Sequence, residues 1–218
     1  MNQLLKPLLM IMILGSFGFA SVSMATEEAE YRVLVADKPY ELRYYQGHVL
    51  AETLVEAEFK KAGNKAFRRL FRYISGDNQA AQKVSMTAPV GQVQSGQTID
   101  MTAPVGQSKV QGQWAISFML PAKFSAQTAP QPTHPEVYIR AVPPRYMAAI
   151  RYSGFWSEAR YREHLRLLEG WIADRGYQAI GEAVWARYNP PMLPWFLRRN
   201  EILVPVDAPD HGPRHEAP

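Results

Sequence analysis

Two stretches of this 218-residue chain carry a helical period, each preceded by one strand-like run and followed by two more. In the first, Ala62, Ala66, Phe67, Leu70, Phe71 and Ile74 recur at the spacing that lines one helix face. Lys61, Lys65, Arg68, Arg69 and Arg72 line the other side, and Gly76-Asp77-Asn78 ends the run. The second stretch opens at Ser157, a residue type that caps helix N-termini. It sets Tyr161, Leu165, Leu168 and Ile172 on one side and stops at Gly176, a residue type that suits the turn past a helix end.

The remaining periodic runs alternate or are rich in β-branched and aromatic residues, which predicts strands. These are 40–45, 49–59, 84–90, 99–105, 114–120, 137–142, 146–152, 183–188 and 201–206, with a Pro/Gln/Thr-rich loop over 121–135. Strand 49–59, helix 62–74 and strands 84–90 and 114–120 make one β-α-β-β unit. Strand 146–152, helix 157–175 and strands 183–188 and 201–206 make another. The order predicts an α+β domain of two such halves, with two helices against a curved, mostly antiparallel sheet. Element order alone carries this, because the halves share no sequence identity. A shorter repeat is unambiguous: Met86-Thr-Ala-Pro-Val-Gly-Gln92 recurs unchanged as Met101-Thr-Ala-Pro-Val-Gly-Gln107. Proline confines such strands to edges or bulges. The copies read either as a duplicated hairpin strand or as kinked strands whose methionines line a cavity, since Met adapts to irregular apolar ligands.

The chain has no cysteine, which excludes disulfides, thiolate metal sites, a cysteine nucleophile and covalent haem attachment. Residues 1–25 read as a secretory signal: Lys6, an apolar run from Leu8 to Ala20, then Ser23-Met24-Ala25 for cleavage. That run is shorter than the ~20 residues a membrane span needs. The expectation is therefore a periplasmic or secreted protein with no stable membrane anchor after cleavage. The body is one domain over 31–206, with a short acidic lead at 26–30 and a disordered tail at 207–218. A formal net charge of +4 without a concentrated basic face argues against nucleic-acid binding. Oligomeric state has no signature in the sequence.

Ordered along the chain are Tyr40-Glu-Leu-Arg43, Phe67-Arg-Arg-Leu-Phe-Arg-Tyr-Ile74 leading into Gly76-Asp-Asn78, and the two Met-Thr-Ala-Pro-Val copies. Phe118-Met-Leu-Pro121, Tyr188-Asn-Pro-Pro191 and Arg198-Arg-Asn-Glu-Ile202 follow. In this combination the chain resembles the SOUL haem-binding proteins over nearly all of 31–206, its doubled motif resembling bacterial and plant members. The resemblance implies a distorted β-barrel of two related halves flanked by two helices. It also implies non-covalent binding of haem or a related tetrapyrrole in an apolar groove, for handling or buffering outside the cytoplasm.

The groove residues expected on this basis are Tyr44, Phe67, Phe71, Arg72, Met86 and Met101. Arg72 stands where the family places a basic residue linked to propionate contact. Tyr44 takes the place of a histidine proposed as axial ligand in one animal branch, and a tyrosine phenolate can hold ferric haem. His48 and His164 read as surface or core-edge residues. Two alternatives stand beside the haem reading. One is a binder of another amphipathic small molecule. The other is a hydrolase or lyase using Glu201, although the chain has no G-x-S-x-G, H-E-x-x-H or Gly-rich phosphate loop. The reading of Glu201 as a structural hydrogen-bond partner, tying Arg198 or the preceding loop, is favoured over catalysis.

Overall fold

The computed structural model describes residues 26–79 and 96–208. Within them the chain runs through β1 (Tyr31–Asp37), β2 (Tyr40–Tyr45), β3 (His48–Val55), α1 (Phe59–Ile74), β4 (Asn78–Gln79), β5 (Val105–Val110) and β6 (Gln113–Met119). It continues through β7 (Gln131–Pro132), β8 (Tyr138–Val142), β9 (Arg145–Tyr152), α2 (Glu158–Asp174), β10 (Val184–Arg187) and β11 (Asn200–Val206). Nine strands form one antiparallel sheet in the order β1-β2-β9-β11-β10-β5-β6-β3-β8, and β4 pairs with β7 apart from it.

Read outward from the β5–β10 join, the order is β5-β6-β3 on one side and β10-β11-β9 on the other. Each half therefore places its second, third and first strand in the same sequence. Each helix packs on its own half, α1 on β3 and β6, α2 on β9 and β11. The strands that lead into the halves are exchanged. β2 runs into β3 but pairs with β9, while β8 runs into β9 but pairs with β3. Their two bends meet, since a Cβ on Gly47 would lie 3.4 Å from Pro144 Cδ. The exchange adds to the β5–β10 pairing in tying the two β-α-β-β units into one sheet.

Both helices cover one side of the sheet. Phe59, the first residue of α1, stacks on Trp185 at 4.7 Å and meets Trp114 edge-on at 5.1 Å. Ala62, Ala66, Leu70 and Tyr73 continue that buried face. Ser157 accepts a hydrogen bond from the Arg160 N–H and caps α2, whose Tyr161, Leu168, Trp171 and Ile172 are buried. The other side of the sheet holds a smaller cluster of Tyr45, Met147, Ala149, Ala186 and Leu203.

Several expected boundaries shift for identifiable reasons. The strand expected over 49–59 ends at Val55, because Glu58 adopts extended geometry as N-cap and Phe59 already turns into α1. The strand expected over 99–105 begins only at Val105, after Pro104, which has no N–H for a ladder. Edge strand β1 was not expected; its side chains are exposed or half-buried, and only Val35 and Tyr31 pack against the two apolar clusters. The lead 26–30 is not loose, since Glu28 bridges to Ala103 and its carboxylate pairs with Arg199. Asp207, assigned to the tail, donates its N–H to the Gln178 C=O and accepts the Gln178 N–H on its carboxylate. The expected signal, strand 84–90 and most of the tail lie outside the described residues.

Candidate functional site

On α1 the buried residues 59, 62, 63, 66, 70, 73 and 74 centre on one direction. At about 100° per residue, Phe67 and Phe71 lie roughly 80° and 120° round the axis from it. Both were expected within the apolar stripe, yet they are 36% and 47% exposed. Their rings stack at 6.0 Å with 13° between planes, and Phe67 rests edge-on against Phe118 of β6 at 5.3 Å. Two near-parallel phenyl rings, each partly exposed on a core-anchored helix, form an apolar platform. Arg68 stands exposed beside it. Arg72 is exposed and its Nε donates to Asp77 at 2.7 Å. Arg69, expected on the solvated side, instead reaches Thr53 Oγ1 at 2.6 Å and Glu136 at 2.7 Å, tying α1 to β3.

Met101, 44% exposed, lies on a segment held at both ends. The Ile99 N–H donates to the Ile74 C=O at 2.7 Å, and the Thr102 hydroxyl donates to the Met119 C=O. Met101 thus stands near the same end of α1 as Phe71. Met86 lies outside the described residues. Tyr44 sits elsewhere in the sheet. It is half-buried on β2, between β1 and β9, with its ring 5.0 Å from that of Tyr146, whereas α1 covers β3 and β6.

Glu201 is fully buried on β11. Arg43 of β2 donates to it from Nη1 at 2.6 Å and Nη2 at 3.2 Å, Arg199 Nε at 2.9 Å and the Tyr188 hydroxyl at 2.9 Å. Burial pushes the Glu201 carboxyl up, but the Arg43 hydrogen bond and charge, followed by Arg199 and Tyr188, hold it below the usual carboxylate range. A carboxylate so committed is held ionised and has no open side toward a substrate. The partners are Arg43 and Arg199, rather than Arg198 as expected; strand pairing brings Arg43 there from 158 residues away. Burial pushes the neighbouring Tyr45 hydroxyl up to about 12.

A cavity of about 550 Å³ opens at the start of β3, between the 26–30 segment and the end of β6. Val49, Met119, Leu120 and Phe124 give it an apolar floor, with Glu27 and His48 at its edge. Burial is the main cause that holds the His48 imidazole below its ordinary pKa, and the nearby Arg145 and Arg140 charges act in the same direction. His164 instead stacks on Tyr152 at 3.9 Å, so it belongs to the packing of α2. No helix among the described residues is long and apolar enough to cross a membrane.

A helix-covered antiparallel sheet of two exchanged halves, with an aromatic platform on the first helix, defines an α+β protein. The pattern described as "SOUL heme-binding protein" matches residues 26–205, and the chain belongs to that family. It is 26% identical over 164 residues to "Heme-binding protein 1" of Xenopus tropicalis, covering 75% of this chain and 81% of that protein. It is 27% identical over 172 residues to human "Heme-binding protein 2", covering 74% and 79%. Among solved structures, the EcmrR C-terminal domain aligns with a TM-score of 0.51 at 11% identity, covering 81% of this chain and 98% of that one. That likeness concerns the fold alone.

Proposed function

We propose that this protein binds haem or a related tetrapyrrole non-covalently on the α1 platform, and handles or buffers it outside the cytoplasm. The carrying observation is the partly exposed Phe67–Phe71 stack on a core-anchored helix, with Arg68 and Arg72 alongside. A planar macrocycle gains apolar contact by lying on stacked rings, and its carboxylates favour nearby arginines. Membership in the haem-binding family and the likeness to heme-binding proteins 1 and 2 support the ligand class. The leader-like residues 1–25 support the location. The committed Glu201 gives a hydrolase or lyase reading no support.

Haemin titration followed at the Soret band tests the ligand, and cell fractionation tests the location. A saturable one-to-one change at micromolar haemin supports the proposal, and its absence overturns it. A different amphipathic ligand is the second reading, favoured by the apolar-floored cavity at the start of β3. In that case haemin fails to bind and a dye that brightens in apolar surroundings is taken up instead.

A further inference from the structure

Several buried or half-buried arginines of this protein meet carboxylates. Arg43 meets Glu201 and Glu41, Arg69 meets Glu136, and Arg199 meets Glu28 and Glu201. Arg187, on β10, has no carboxylate within ion-pair distance among the described residues. Its Nη2 donates to Gln107 Oε1 at 2.9 Å, and Gln107 Nε2 in turn donates to the Phe59 C=O at 3.1 Å. Its Nε is buried with no acceptor among the described residues. The guanidinium lies 4.7 Å over the Trp185 ring and 5.4 Å from the Trp156 ring. Indole faces attract a cation but leave its hydrogen-bonding edge unmet. A desolvated, hydrogen-bond-deficient charge is costly to keep in a fold and calls for a physical reason. Arg145 and Arg160 share the orphaned Nε, but Arg187 alone of the three lies over indole rings.

A second cation shares the indole. The Arg198 guanidinium lies 4.7 Å over Trp156, and its N–H groups go to the backbone carbonyls of Leu193 at 2.8 Å and Pro191 at 2.6 Å. Those contacts hold it in place without neutralising it. The route from this pair to the platform is also on α1. A Cβ on Gly63 would come 3.3 Å from Arg187 Nη2, so the helix passes the guanidinium where it has no side chain. Gly63, Phe67 and Phe71 are successive members of one i, i+4 row, which rises about 6 Å per step. The row therefore leads from a cationic end to an apolar one, the two chemistries of an amphipathic carboxylate.

We propose that Arg187 and Arg198 form an anion site for a carboxylate of the ligand lying on Phe67 and Phe71. For a tetrapyrrole this group is a propionate. The assignment rests on the platform reading above and names the groups that orient the ligand there. Arg187 supplies the N–H groups that Gln107 leaves unmet, and Arg198 adds charge from the β10–β11 loop.

The test compares haemin with its dimethyl ester on the wild-type protein and on Arg187→Met and Arg198→Met. The wild type binds haemin more tightly than the ester by roughly 10- to 100-fold, the range for hydrogen bonds to a charged group. Arg187→Met loses that preference while its ester affinity is unchanged, and Arg198→Met loses part of it. Equal wild-type affinity for acid and ester overturns the anion site while leaving the platform reading intact. A preference that survives in Arg187→Met also overturns it. Should Arg187→Met not fold, the wild-type comparison and Arg198→Met decide. Absence of any Soret change with either compound overturns the platform reading and this site with it.

Discussion

Replacing Glu201 with glutamine separates a structural carboxylate from a catalytic one. The substitution keeps shape but removes the charge that meets Arg43, Arg199 and Tyr188. Side-chain exposure is 0% for Glu201 and 3% for Arg43, so the arginine stays in a dry setting with only the part-exposed Glu41 as counter-charge. Removing one partner of a buried ion pair costs about 3–5 kcal/mol. A domain of this size loses about 2–4 °C of melting temperature per kcal/mol, which gives a fall of roughly 6–20 °C. Because the Glu201 carboxyl is held below its unfolded value, its contribution is complete above the unfolded pKa. That contribution is lost as pH falls through the folded pKa, so the gap between wild type and Glu201→Gln narrows on acidification. Urea unfolding followed by circular dichroism between neutral and acid pH reads both effects. A variant within about 1 kcal/mol of wild type at neutral pH refutes the network, judged against the ~1 kcal/mol of an ordinary substitution. So does a gap that widens in acid.

Three further outcomes follow from the same geometry. Phe71→Ser changes unfolding free energy by no more than about 0.5 kcal/mol, as for an exposed residue, yet weakens haemin binding in a Soret titration. Tyr44→Phe leaves the spectrum of the haemin complex unaltered, because β2 and α1 belong to different halves; a shifted Soret band contradicts the placement of the ligand on α1. Ser157→Ala lowers stability by about 1 kcal/mol through loss of the α2 cap, measured by chemical denaturation; no loss contradicts the role of that hydrogen bond.

The second half of the fold was the more legible. Ser157 as cap, the 4-3-4 spacing of Tyr161, Leu165, Leu168 and Ile172, and Gly176 at φ +74° are local signals that bound α2 within a residue. The exchange of β2 and β8 was not legible, because strand pairing depends on partners a hundred residues apart and leaves no periodic trace. The same limit hid Arg43 from Glu201. Phe67 and Phe71 were legible as apolar residues of a helix, but their position on its rim emerges only once Ala62, Ala66 and Leu70 define the buried direction. Arg187 carried no signal at all, since an arginine in a strand is ordinary until its carboxylate is found to be missing.

The central claim is that the α1 rim is where the ligand lies. Parallel haemin titrations of the wild type and of Phe67→Ser/Phe71→Ser, both checked as folded by circular dichroism, test it most directly. A saturable wild-type Soret change that weakens at least tenfold in the variant is the predicted result, matching the ~1.4 kcal/mol or more expected from losing two stacked aromatic contacts. Equal affinity in the two proteins contradicts it.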